Sequence, residues 1–149
     1  MNETKLKIKK LDPDAHIPSY GSDYAAGMDL YALAGADGIV IEPSQTVLVH
    51  TGIAMEIPIG LAGFIYARSG LASKKGLAPA NKVGVVDCDY RGEVMVALHN
   101  HGTVAQKIEK GERIAQMVIA PYFKADIEEA EELSDTVRGE GGFGSTGRK

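Results

Sequence analysis

Asp87 ends the apolar run Val83-Gly84-Val85-Val86 and opens the polar turn Asp87-Cys88-Asp89-Tyr90-Arg91-Gly92. Beyond the turn, Val94, Val96 and Leu98 alternate with Met95, Ala97 and His99. Side chains that bond their own backbone, and a glycine that relieves strain, make this a turn between two strands. A carboxylate at the end of an apolar strand loses part of its hydration and becomes a better proton acceptor near neutral pH. A plain turn-forming aspartate fits the same pattern. Asp29, inside Tyr24-Ala25-Ala26-Gly27-Met28-Asp29-Leu30-Tyr31-Ala32, is a second acid on an apolar segment. Its bland reading is a buried acid satisfied by backbone donors.

Arg68-Ser69-Gly70-Leu71-Ala72-Ser73-Lys74-Lys75-Gly76 reads as a short helix, with Ser69 as N-cap and Gly76 as stop. Free backbone N–H groups, a hydroxyl and a guanidinium at such an end suit phosphate, although an ordinary capped helix with a surface arginine reads equally well. The last segment, from Arg138 to Lys149, is rich in glycine and carries Phe143. Such a tail is expected to be mobile until it binds something, and its backbone N–H groups can wrap phosphates. A disordered tail is the competing reading, but a lone aromatic there needs something to cover.

The elements that position these groups are mostly β. Lys5 to Lys9 alternates as a half-buried strand. Tyr24–Ala32, Ile39–Ile41, Thr46–Val49, Ile53–Ile57, Leu61–Ala67 and Ile114–Pro121 are further strand candidates, broken by proline and glycine. The stretch from Asn81 to Val96 reads as a central hairpin. Pro79, just before Asn81, stands where smooth strand is expected.

At 149 residues the chain is one domain with room for a full core. Residues 126–135 hold six acids and no Lys or Arg. Outside that run 16 basic residues face 14 acidic ones, a net of +2, which admits a polyanionic small ligand and falls short of a duplex DNA footprint. The run reads as a solvated face with Ile127 and Leu133 as anchors. A single cysteine, Cys88, excludes an intramolecular disulfide and gives no reason to expect an oxidising compartment. No apolar run has the length of a membrane span, and the start lacks a signal-peptide core, so a cytoplasmic protein is expected, with no membrane and no nucleic-acid partner.

Gly142-Phe143-Gly144-Ser145-Thr146-Gly147 fits G-x-G-x-x-G, but too few residues follow it for the helix that fingerprint needs. His99 and His101 lack further ligands and read as turn residues. What remains is a set of phosphate donors, two carboxylates, a flat aromatic at Tyr90 and a glycine-rich arm, the parts of a nucleoside phosphate site.

Five segments, in order, resemble the five motifs of trimeric deoxyuridine triphosphatases. They are Ala26–Ala32, Ala67–Ala72, Val83–Gly92, Gly111–Gln116 and Arg138–Gly147. The resemblance implies an all-β protomer, a distorted jelly-roll-like β-barrel with one short helix over residues 1–137. It also implies a homotrimer in which the mobile arm, residues 138–149, closes a site built by the other two subunits. The implied reaction is Mg²⁺-assisted hydrolysis of dUTP to dUMP and pyrophosphate, which limits uracil in DNA and supplies dUMP for thymidylate synthesis. By position, Asp87 activates the water that attacks the α-phosphorus, and Tyr90 packs against deoxyribose. Asn81 and the backbone at Val85 and Val86 read uracil, with Met95 lining the pocket. Arg68, Ser69 and Gly70 hold phosphate oxygens with Gln116 nearby, and Asp29 holds Mg²⁺ through its waters. From the arm, Phe143 stacks on uracil while Arg138, Gly144, Ser145 and Thr146 cover the β- and γ-phosphates. Cys88 receives no role.

Two alternatives stand beside this. A dCTP deaminase shares the fold, but its relatives resemble Arg-Ser-Ser where this chain has Arg68-Ser69-Gly70, and His-Pro-Gly-Trp where it has Asp87-Cys88-Asp89-Tyr90. A nucleotide-sensing regulatory protein would use the scaffold to bind a partner, with Asp87 intact for another reason.

Overall fold

The structure, a computed structural model, describes residues 4–142. In chain order its elements are β1 (Lys7–Lys10), β2 (Ser19–Tyr20), β3 (Met28–Tyr31), β4 (Ile39–Ile41), β5 (Thr46–Glu56), β6 (Leu61–Tyr66) and α1 (Ser69–Lys75). There follow β7 (Leu77–Pro79), β8 (Gly84–Val86), β9 (Glu93–Asn100), β10 (Gln106–Ile108) and β11 (Arg113–Pro121). All the strand pairs are antiparallel. They form a sheet in the order β1-β5-β9-β7, a second in the order β2-β3-β11-β6-β8, and a two-stranded β10-β4 ribbon.

Period-two patterning builds the core. Along β9 the inward residues Val94, Val96, Leu98 and Asn100 are buried while their neighbours are half-buried. Val94, Val96 and Leu98 join Val49 and Met55 of β5 and Leu30, Ile65, Ile114 and Met117 of the other sheet in one apolar cluster, with Ile41 and Ile108 from the ribbon. Each large aliphatic side chain so buried contributes about 1.5–3 kcal/mol. Buried Asn100 is satisfied: its amide donates to the carbonyls of Ile41 and Val104, and its oxygen accepts from the Gly102 N–H. The result is the all-β, jelly-roll-like architecture with one short helix.

Several expectations need correction. The central hairpin does not form: β8 pairs with β6, β9 pairs with β5 and β7, and the 87–92 connection crosses from one sheet to the other. Thr46–Val49 and Ile53–Ile57 are one strand, β5, because Gly52 at φ 68° absorbs a bulge where the register to β9 shifts between His50 and Ala54. Of Tyr24–Ala32 only Met28–Tyr31 is strand; the short β2, β7 and β10 carry too few residues to show a period.

Ser69 is not the helix cap. Arg68 takes that position in extended conformation, φ −84° and ψ 132°, with no side-chain capping bond, so Ser69 is already the first helical residue. Gly76 does end the helix, at φ 66°, with its N–H given to Leu71 O. Pro79 fits without distortion because β7 is an edge strand, where a missing N–H is tolerated. His99 lies within β9, its Nδ1 2.8 Å from Thr46 Oγ1, because the strand runs on to Asn100. The acidic run has no anchors in this chain. Ile127 and Leu133 are 92% and 89% exposed, since the chain beyond Pro121 forms no regular element among the described residues.

Gly52 permits a direct test. A Cβ there would sit 2.8 Å from both Ala15 Cβ and Leu33 Cδ2, whereas one at Gly60 (φ 87°) meets nothing within 4 Å. Gly52→Ala is expected to cost about 2–4 kcal/mol, the left-handed penalty plus overpacking, and Gly60→Ala only the first of these, about 1–2 kcal/mol. Equal midpoints in urea for the two variants would refute the packing argument.

Candidate active site

The crossing at Asp87 opens a cleft between the sheets. Its volume is about 270 Å³, and it is lined by Leu48, Ile65, Asn81, Gly84, Val85, Val86, Asp87, Tyr90, Glu93, Val94 and Met95. β8 is the last strand of its sheet, so one row of its backbone donors and acceptors has no strand partner, and this strand forms a wall of the cleft. Fixed N–H and C=O groups of that kind can read the edge of a planar base. Asn81 sits in the turn after β7, where Lys82 N–H bonds Pro79 O and Lys82 takes φ 65°. The Asn81 side chain reaches back over Gly84, in ordinary contact at 3.4 Å from where a Cβ would stand, and the tighter neighbour there is Ile65 Cβ at 3.2 Å.

Asp87 and Tyr90 are linked by a turn, the Tyr90 N–H donating to Asp87 O at 3.2 Å. Arg91 stitches the same loop by donating from Nη1 to the carbonyls of Cys88 and Tyr90. The Tyr90 phenol donates to Glu93 O at 2.9 Å, and its ring folds so closely over Gly92 that a Cβ there would collide with the phenolic oxygen. Asp87 itself is exposed, so the loss of hydration expected at its strand end is not observed. The strand stops at Val86, and the carboxylate lies on the turn beyond it.

A second cleft, of about 400 Å³, is lined by Gly21, Ala25, Gly27, Asp29, Arg68, Ser69, Gly70, Arg113 and Gln116. Asp29 on β3 is its electrostatic centre. Arg68 Nε donates to Asp29 Oδ1 at 2.8 Å and Arg113 Nη1 to Oδ2 at 3.1 Å, with the Asp29 side chain only 13% exposed. One carboxylate between two guanidiniums leaves a positive surplus that suits an anion. Gln116, opposite Asp29 in the β3–β11 ladder, donates to Ala67 O at 2.8 Å. Gly27 makes room for it, since a Cβ there would meet Gln116 Oε1 at 2.8 Å.

The structure thus gathers Asn81, Val85, Val86, Asp87, Tyr90 and Met95 in one cleft and Asp29, Arg68, Ser69, Gly70 and Gln116 in another. The two clefts share no lining residue. Arg138 lines neither; its Nε bonds Gly141 O in a local turn. Phe143, Gly144, Ser145 and Thr146 lie outside the described residues. Sequence reasoning missed Leu48, Ile65 and Glu93 in the first cleft and Arg113 in the second. Arg113 follows Gly111-Glu112 within a quoted motif, and its basic type beside Gln116 is a signal that could have found it.

Among the described residues no group of three or more His, Cys, Asp or Glu could hold a metal ion. Magnesium commonly keeps several waters and rests on one or two carboxylates plus substrate phosphates. Asp29, with acceptor capacity left on both oxygens, fits a hold through water and not a dedicated protein cage.

The profile of the dUTPase family matches residues 13–147, a span that takes in both clefts. The chain belongs to the dUTPase family. It is 52% identical over 144 residues to the deoxyuridine 5'-triphosphate nucleotidohydrolase of Nautilia profundicola, covering 97% of this chain and 99% of that one. It is also 52% identical over 145 residues to the enzyme of that name from a Hydrogenobaculum species, with the same two coverages. Among solved structures, the Staphylococcus bacteriophage 80alpha dUTPase with dUpNHpp superposes with a TM-score of 0.87 at 30% identity, covering 97% of this chain and 99% of that one. These dUTPase relatives align over nearly the whole chain, so both clefts fall within the likeness.

Removing Asp29 would leave two guanidiniums facing each other at a part-buried position. Asp29→Ala is expected to destabilise the protein by about 2–4 kcal/mol, below the 3–5 kcal/mol of a fully buried broken pair. Arg113→Gln, which leaves the Arg68 bond intact, is expected to cost less than half of that. Urea denaturation at matched ionic strength gives both numbers; an unperturbed Asp29→Ala would show that the ion pairs do not support this cleft.

Proposed function

We infer that the chain is a dUTP diphosphatase, hydrolysing dUTP to dUMP and pyrophosphate by attack of water on the α-phosphorus. The observation that carries this reading is the first cleft. In a member of this family, the unpaired edge of β8 and Asn81 form a base-sized pocket whose mouth holds Asp87 and Tyr90. Asp87 takes a proton from the attacking water as the new bond to the α-phosphorus forms. The bond to the α–β bridging oxygen breaks, and its electron pair leaves with pyrophosphate. Uracil lies along β8, where a 5-methyl group has no room, and Met95 and Leu48 close the sides. Tyr90 packs against deoxyribose and leaves no space for a 2′-hydroxyl.

The triphosphate needs the second cleft. Arg68, Ser69, Gly70 and Gln116 hold its oxygens as charge builds on the leaving group. Because the two clefts share no residue, a single substrate joins them most simply when the Asp87 cleft of one copy faces the Arg68 cleft of another. That arrangement supports an assembly of more than one copy, which we take to be the homotrimer that the resemblance implies, and it would also cover the exposed Asp87 when substrate binds. We assign residues 1–137 to the barrel and 138–149 to an arm that closes a neighbour's site, with Phe143 on uracil and Arg138, Gly144, Ser145 and Thr146 on the β- and γ-phosphates. Members of this family are metal-dependent. We propose Mg²⁺, held by Asp29 through water; when bound it supplies charge neutralisation at the phosphates. The described residues contain no helix long and apolar enough to cross a membrane, and cytoplasmic work on a small-molecule substrate is part of the same reading.

The deaminase alternative is not favoured, because the curated relatives quoted above carry the dUTP nucleotidohydrolase name. The sensor alternative requires no turnover, and Asp87 in the base pocket argues for turnover.

Incubation with Mg²⁺ and each of dUTP, dCTP, dTTP and UTP is expected to give dUMP and pyrophosphate from dUTP alone. Asp87→Asn is expected to lower kcat by about 10²–10⁴-fold, the scale of general-base catalysis, while dUTP binding by calorimetry stays within a few-fold. Deaminated dCTP would overturn the assignment, and full turnover by Asp87→Asn would overturn the role of the base.

A further inference from the structure

Glu93 is the first residue of β9 and lines the base cleft, yet nothing in the reaction above uses it. It carries three bonds. Its backbone oxygen accepts from the Tyr90 phenol at 2.9 Å. Its Oε1 accepts from the Gly52 N–H at 2.8 Å, and its Oε2 lies 2.9 Å from His50 Nδ1. The second partner is unusual. Gly52 sits at φ 68° inside the β5 bulge, is itself buried, and points its N–H out of the regular ladder. A buried N–H in that position needs an acceptor, and the Glu93 carboxylate supplies it. One residue further along β9, Val94 O accepts from the Thr51 hydroxyl, so the bulge is fastened to β9 at two consecutive residues.

The charge state fits this task. Burial pushes the Glu93 carboxyl up, but the His50 and Gly52 bonds outweigh it and hold the group below the ordinary carboxylate range. Both oxygens are therefore acceptors at neutral pH. The Glu93 side chain is 22% exposed and the Gly52 N–H is buried, so solvent competes with that bond only weakly, while His50, 57% exposed, is the more open partner.

We infer that Glu93 is the positioning residue for Tyr90: its carboxylate fixes the start of β9 to the β5 bulge, and this fixes the carbonyl that receives the Tyr90 phenol. The inference rests on the reading that Tyr90 packs against the sugar. A ring held at a set distance rejects a 2′-hydroxyl by contact, and a ring free to move by about 1 Å does not, a displacement that can change rates by up to about a hundredfold. Leaving the chemistry at Asp87 intact, the loss of Glu93 should therefore appear in sugar selectivity.

The test measures kcat/KM for dUTP and UTP, with folding followed by circular dichroism and urea denaturation. Glu93→Ala is expected to lower the dUTP-to-UTP ratio by about tenfold or more, mainly through KM. Glu93→Gln keeps a carbonyl for the Gly52 N–H and an amide for His50, and is expected to hold the ratio within about threefold of the parent. Tyr90→Phe, which removes the phenol at the other end of the tether, is expected to reproduce the Glu93→Ala change. Combined with Glu93→Ala, it should add little, because both cut one chain of bonds. Tyr90→Ala reports on the underlying reading. A lost ratio in Tyr90→Ala with an unchanged ratio in folded Glu93→Ala would overturn the inference and leave the reading standing; an unchanged ratio in Tyr90→Ala would overturn the reading itself. Should Glu93→Ala fail to fold, Tyr90→Phe decides, and an unchanged ratio there overturns the tether.

Discussion

The site depends on one constraint of the sheet topology: β8 and β9 are consecutive in the chain but belong to different sheets. A hairpin would have paired the backbone edge of β8 with β9 and buried the groups that face the cleft. Because the 87–92 connection crosses between sheets instead, β8 stays an edge strand, and the gap it leaves is the cleft of about 270 Å³. Edge strands generally invite unwanted pairing; here β8 is only three residues long and its open side faces into the cleft.

Around that gap the same economy recurs. Glycine stands where a neighbouring side chain must come close: Gly84 beside Ile65, Gly92 beneath the Tyr90 ring, and Gly27 beside Gln116. Each contact falls below or near the closest approach a Cβ tolerates, so these glycines act through absent volume and not through backbone freedom. The second cleft is organised by charge. Asp29 accepts one bond from Arg68 on one oxygen and one from Arg113 on the other, so two guanidiniums are held in place against a single carboxylate with a net positive charge. Preset donors lower the reorganisation needed when charge develops.

The segment after β11 contrasts with the rest. Phe123, Ile127, Leu133 and Val137 are all strongly exposed, and the acids around them keep the segment hydrated. Its sequence holds enough apolar side chains to pack but no period by which to fold alone.

Much of this protein was legible in the sequence. Side-chain alternation is a local property of a strand, so β9 could be read directly, β6 and β11 stood out as apolar runs bounded by turn residues, and Gly76 as a helix stop followed from its tolerance of positive φ. The order of five short motifs marked the family and brought Asp87, Tyr90, Asn81 and Asp29 forward as site residues. Only the tertiary structure decided which strands pair, because hydrogen bonds between strands join residues far apart in the chain and leave no local trace. It carried β5 straight through Gly52, placed Leu48 and Glu93 in the cleft, and moved the helix cap from Ser69 to Arg68. It also gave Asp29 its two arginine partners, 39 and 84 positions away. Residue types and spacing determined which chemistry was available; the crossing between sheets and the long-range ion pairs determined where each group could act, because burial and charge pairing depend on neighbours that only the folded chain brings together.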